Sequence, residues 1–244
     1  MKKFALVCIV LCWSVSLIQA REISMVTVDW EPYYASSLKN GGVYTELVKT
    51  AFERVGHKAT IKFLPWKRAL KYVADGKKDI VMGAYYSKER ENQYLFSDSC
   101  MTIHTGLIAH KKVGITSFKT LKDLKPYKIG VNRGWVYTPE FDAADYLKKD
   151  EASNQMVNIR KFFKRRVDII AITIEIFQYE VSRLKGHDMS EVVVLDPLLG
   201  EKGLHLMMGL KIPDHKQVIA DFNKGLKLIR DDGTYGSILS DHGF

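Results

Sequence analysis

The order of apolar segments predicts an α/β protein built from two units in series. Short runs rich in Val, Ile and Thr alternate with longer segments of helical period, the pattern of strands joined by covering helices. That alternation halts in a Lys- and Thr-containing stretch at 110–126 and then starts again. Beyond the N-terminus, no apolar run approaches the length that crosses a bilayer.

The chain opens with MKKFALVCIVLCWSVSLIQA, where Lys2 and Lys3 precede an apolar run that closes on Ser16 and Ala20. This is the layout of a secretory signal cut after Ala20. Cys8 and Cys12 lie within it and leave with it, so Cys100 stands alone in the exported chain and no internal disulfide holds the fold. Residues 23–29 (ISMVTVD) form a strand and 30–34 (WEPYY) an aromatic loop. Gly41 and Gly42 introduce an amphipathic helix at 43–56 that ends on Gly56. A strand at 58–65 and a short helix at 66–77 come next, then strands at 79–84 and 104–111.

In the second unit, 127–131 is a strand and 132–135 (NRGW) a turn. A helix is expected over 138–149, with Thr138 as N-cap and Pro139 at its first position. Residues 167–177 run from strand into helix, 191–196 and 203–210 are strands, and 215–233 is a helix closing on Gly233. Each unit is too small to be comfortable alone, so the two are expected to fold together.

The formal charge is +9, from 37 Lys and Arg against 28 Asp and Glu. An exported protein seldom meets nucleic acid, and the basic residues are scattered; only RKFFKRR (160–166) is a cluster, read as a solvated helix face. No G-x-S-x-G, H-E-x-x-H, Walker or G-x-G-x-x-G motif occurs, and the seven histidines are dispersed. His104 and His110 are read as structural, Cys100 as an apolar filler, and neither a metal nor a cofactor is expected.

Residues 79–98 carry the strongest chemical signal. A strand ends in a small-residue loop and delivers Arg90 to the rim of a sheet. A guanidinium there suits a carboxylate, because its planar fork makes two parallel charge-assisted hydrogen bonds that Lys cannot reproduce. The ordered blocks Asp29–Tyr34, Gly41–Phe52, PWKRAL (65–70), GKKDIV (76–81), SKER (87–90), FSD (96–98), KIGVNRG (128–134), Val167–Asp168 and DDGTYGSIL (231–239) resemble family 3 periplasmic solute-binding proteins, the amino-acid receptors of ABC importers.

The resemblance implies a type II periplasmic-binding fold: two α/β lobes, two crossing strands as hinge and a ligand cleft between them. It places lobe 1 at 21–109, lobe 2 at 110–203 and a return strand and helix completing lobe 1 at 204–244. It implies a periplasmic monomer that hands its solute to an inner-membrane permease and performs no chemistry. Arg90 matches the family's carboxylate-binding arginine, assisted by Gly83 and Tyr85. In lobe 2, Asn132, Trp135 and Val136 occupy a loop that often offers hydroxyls to the carboxylate. The usual ammonium-binding aspartate falls at Thr173, which carries no charge; Glu175 is either its replacement or a surface residue at a helix start. A standard α-amino acid is therefore not assured as the ligand.

Trp30, Tyr33, Tyr34, Trp66, Tyr85 and Trp135 are too many aromatics in loops for core packing alone, and they are expected to stack a planar group or hold a cation. Two other functions fit the same cleft. One is a sensory module that docks on a membrane kinase or cyclase; the other is a small-acid lyase using Glu31 or Glu175.

Overall fold

The computed structural model describes residues 20–133, 135 and 137–244. The expected signal segment, apart from Ala20, and the candidate Val136 lie outside the described residues. The strands are β1 (Glu22–Thr27), β2 (Lys58–Phe63), β3 (Ile80–Tyr85), β4 (Tyr94–Phe96), β5 (Met101–His110), β6 (Lys128–Asn132), β7 (Lys148–Ala152), β8 (Ile169–Thr173), β9 (Val192–Val194) and β10 (Gly200–Gly209). The α-helices are α1 (Val43–Arg54), α2 (Trp66–Ala74), α3 (Pro139–Ala143), α4 (Gln155–Phe163), α5 (Ile174–Ser182), α6 (His215–Asp231) and α7 (Thr234–Asp241).

All ten strands join one curled sheet in the order β2-β1-β3-β10-β5-β8-β6-β7, with β4 beside β10 and β9 beside β5. Parallel pairs, β1 with β2 and β3 and β6 with β7 and β8, occupy its two ends. The long strands β5 and β10 run antiparallel through the middle and change partners along their length. Met101–Thr105 pair with Gly200–Leu204, after which β5 continues on β8 while β10 continues on β3.

Alternation along each strand sends side chains to opposite faces. In the first half, Ile23, Met25, Ile80, Met82, Leu204 and Leu206 meet α1 and α6, whereas Val26, Val81 and Met207 meet Ala69 and Val73 of α2. In the second half, Leu107, Ile129 and Ile169 pack on Phe141 and Leu124, while Ile108, Ile170 and Ile172 pack on Phe162 and Phe177. Cys100 is fully buried in the first core. His110 is also a core residue, stacked on the Phe162 ring at 4.2 Å.

Three sequence expectations need correction. The helix expected over 138–149 is only α3: Thr138 caps it, accepting from the Phe141 N–H at 3.3 Å, but Ala144 leaves helical geometry and Lys148–Ala152 form the edge strand β7. Its sequence, KKDEA, lacks apolar alternation because an edge exposed to water carries charge instead. Strands β5 and β10 begin at Met101 and Gly200, earlier than their apolar runs, because their first residues pair with each other across the middle of the sheet. The basic cluster is not a uniformly solvated helix face: Phe162 is fully buried and Lys161 is ion-paired with Asp150.

Helix α6 returns the chain to the first half and lies against α1. At Gly225 the helices meet so closely that a Cβ would stand 1.9 Å from the Ala51 carbonyl oxygen. Elsewhere in a helix, Gly→Ala stabilises by about 1 kcal/mol. Here the sign reverses: Gly225→Ala is expected to cost about 2–3 kcal/mol, as overpacking does, read as a lower urea midpoint with an unchanged slope.

Candidate functional site

The aromatic loop after β1 is fixed at both ends. The Trp30 N–H donates to the Tyr34 carbonyl at 2.6 Å, and the Tyr44 N–H, in the first turn of α1, donates to the Tyr33 carbonyl at 2.9 Å. Opposite the loop, β3 contains a bulge. His205 of β10 faces Ala84 and Leu206 faces Met82, so Gly83 is the extra residue, with φ of +79°. Such a bulge reverses the facing of the next residues in the strand. Ala84 thus joins the α2 face of the sheet, and Tyr85 emerges beside Trp30 with ring centroids 6.0 Å apart.

Gly83 also admits Tyr34. A Cβ at this position would stand 2.5 Å from the tyrosine hydroxyl, and that hydroxyl donates to the Gly83 carbonyl at 2.9 Å. Beyond Tyr85 the chain makes a single 3-10 turn at Lys88–Arg90, whose Arg90 N–H donates to the Ser87 carbonyl at 3.1 Å. The turn brings the guanidinium over the Trp66 ring, 5.9 Å from its centroid.

These pieces enclose an open cavity of about 360 Å³ lined by Val28, Trp30, Tyr34, Trp66, Gly83, Tyr85, Tyr86, Ser87 and Arg90. Arg90 makes no ion pair with any described residue, although it also borders a neighbouring hollow with Asp75 and Glu89. Burial pushes the Tyr34 hydroxyl far above the ordinary phenol range. Burial, aided by the nearby Glu175 carboxylate, pushes Tyr85 up to about 12. Both phenols therefore stay neutral at physiological pH; the Tyr34 O–H is spent on the Gly83 carbonyl, and the Tyr85 O–H is left to donate. A cation, a hydrogen-bond donor and ring walls together suit an anionic group attached to a planar one.

Six residues singled out from the sequence meet here: Trp30, Tyr34, Trp66, Gly83, Tyr85 and Arg90. The remaining described candidates do not line this cavity. Asn132 ends β6 and is buried, with its backbone N–H donating to the Tyr137 hydroxyl at 2.8 Å. Trp135 is exposed, and Thr173 is buried at the end of β8 opposite Thr105.

Glu175, in the first turn of α5, accepts from Tyr33 at 3.2 Å and lies 2.6 Å from His104 Nδ1. Val28, Tyr86 and Ser87 were missed; the doublet Tyr85–Tyr86 directly after a strand was the available signal. A second link was also missed: Glu31 accepts from Ser37 at 2.7 Å, from Tyr179 at 3.0 Å and from Arg183 at 3.4 Å. The Ser37 hydrogen bond is the largest influence holding the Glu31 carboxyl below its ordinary range.

Residues 23–243 match the bacterial extracellular solute-binding proteins, family 3. The chain belongs to that family. Its members bind solutes, and among the described residues no helix is long and apolar enough to cross a membrane. This family 3 chain is 25% identical over 212 residues to the arginine-binding extracellular protein ArtP of Bacillus subtilis (strain 168), spanning 85% of this chain and 80% of ArtP. Its fold is similar to that of the L-cystine solute receptor of Neisseria gonorrhoeae in the unliganded open conformation. That match has a TM-score of 0.73 and 18% identity, covering 92% of this chain and 93% of that one. Substrate-binding domain 2 of Lactococcus lactis GlnP, also open, matches with a TM-score of 0.72 and 17% identity, covering 91% and 94%. The two-lobe type II periplasmic-binding architecture is thus the fold of this chain.

The link at Glu175 has a measurable cost of removal. Tyr33 is fully buried, and without an acceptor its hydroxyl is left unpaired. Glu175→Ala is expected to lower unfolding stability by about 1–3 kcal/mol. Glu175→Gln, which keeps an acceptor oxygen, is expected to lose less than half of that in the same chemical denaturation experiment.

Proposed function

We propose that this protein is a periplasmic receptor that captures a small carboxylate-bearing solute, an amino acid or a relative of one, and presents it to an ABC importer. The observation that carries this reading is Arg90. It is a half-buried guanidinium on an aromatic cavity at the edge of the sheet, without an ion-pair partner among the described residues. Open α/β sheets bind ligands at the ends of their strands, and Arg90 lies beyond the C-terminal end of β3. Proteins of family 3 take small amino-acid solutes and work with ABC permeases, and ArtP is named for arginine.

In this reading 21–109 with 204–244 forms one lobe and 110–203 the other, and the paired stretch of β5 and β10 is the hinge. The solute docks first on Arg90 and the aromatic walls, and the second lobe then closes over it. Asn132, Trp135 and Thr173, which do not line the cavity in this structure, are brought to the solute by that closure, together with the Val136 position. The N-terminal segment is a signal removed on export, and the mature protein acts as a monomer.

Calorimetry against a panel of amino acids and organic acids tests the assignment. Arg90→Ala is expected to weaken binding by about tenfold to a hundredfold, the worth of one or two charge-assisted hydrogen bonds. Arg90→Lys is expected to recover only part of that, because it restores the charge and not the fork. Undiminished binding in Arg90→Ala overturns the site.

A further inference from the structure

The cavity carries one formal charge, and its sign is positive. Apart from Arg90, every lining residue is neutral. The carboxylates on the surrounding loops keep their charge but lie off the cavity wall, each held by donors of its own neighbourhood. Asp29 accepts from the Ser36 N–H at 2.6 Å and its hydroxyl at 2.9 Å, and Glu91 accepts from Tyr86 at 2.9 Å. Glu89 is hydrogen-bonded by Ser87, Glu31 is held by Ser37, Tyr179 and Arg183, and Glu175 by Tyr33 and His104.

An α-ammonium group entering this cavity loses water and finds no carboxylate on its wall. An unpaired charge is strongly disfavoured in such a place. Aromatic rings can hold a cation instead, but here two of them already face protein cations. Arg90 stands over Trp66 at 5.9 Å and Lys202 over Tyr85 at 5.3 Å. A second cation between these would be repelled, whereas an anion is drawn in.

The walls select for shape as well as charge. Trp30 meets Tyr34 and Tyr85 edge to face, at 75° and 86°, so the cavity is bounded by rings held in fixed relative orientation. Its volume of about 360 Å³ falls in the range of small-molecule sites, about 300–1,000 Å³. We infer that the solute is an aryl or heteroaryl carboxylate without a charged α-ammonium group: its ring lies against Trp30 and Trp66, and its carboxylate meets Arg90. This inference rests on the receptor reading above and narrows it.

Matched pairs that differ only in the ammonium group test it: phenylpropionate against L-phenylalanine and indolepropionate against L-tryptophan. L-arginine and L-glutamine serve as aliphatic amino acids, and all are measured by calorimetry on the full mature protein and its Arg90→Ala and Arg90→Lys variants. In the unsubstituted protein, each acid is expected to bind at least about tenfold more tightly than its amino acid, a gap of about 1.4 kcal/mol. Arg90→Ala is expected to weaken the acids by about tenfold or more. The comparison within each pair needs no variant, so it stands even if Arg90→Ala fails to fold.

Tighter binding of the amino acid in either pair overturns the inference. Arg90-dependent binding of L-arginine or L-glutamine with no binding of either acid also overturns it, while leaving the receptor reading intact. If no carboxylate in the set binds in an Arg90-dependent way, the inference and the receptor reading fall together.

Discussion

The short antiparallel ladder between Met101–Thr105 and Gly200–Leu204 is the constraint on which the rest of the molecule depends. Each of its strands belongs to both halves of the sheet: β5 leaves the ladder to pair with β8, and β10 leaves it to pair with β3. The buried residues of the two halves form largely separate cores, with Ile176 of α5 reaching into the first and side-chain hydrogen bonds from Glu31 and Tyr33 to α5 adding to the ladder. Backbone ladders can bend and twist where packed side chains resist sliding.

Within the first half, the cavity is organised by one extra residue. Gly83 turns β3 over, so that a strand whose earlier side chains alternate between two cores presents Tyr85 to the aromatic loop. The same glycine accepts the Tyr34 hydroxyl through its carbonyl and leaves room for the ring where any side chain would collide. Trp30, Tyr34 and Tyr85 are thereby held at fixed angles, and the 3-10 turn at Lys88–Arg90 carries the guanidinium over Trp66. The site is specified by backbone geometry as much as by the chemistry of its side chains.

Much of this was legible in the sequence because it is local. The order of strand, aromatic loop, helix and strand sets out the first half, and the glycine and arginine of 79–98 mark the rim of the cavity. The sheet margin β7 was not legible, since KKDEA carries the charge of an exposed edge and none of the alternation that identifies a half-buried strand. Nor were the contacts made by Glu175. Its partners are 142 and 71 positions away in Tyr33 and His104, and no periodicity links residues at that separation. Asn132, Trp135 and Thr173 show a related limit. Order along the chain places them at strand ends and in a turn of the second half but says nothing of how far that half stands from the first.

The loop from Trp30 to Tyr34 has two audiences. Trp30 and Tyr34 face the cavity, while Glu31 and Tyr33 between them hold Glu175 and Tyr179 of α5 and Arg183 just beyond its end, in the opposite half. One five-residue loop, pinned to the start of α1 through the Tyr33 carbonyl, thus serves as cavity wall and as bridge to α5 at once.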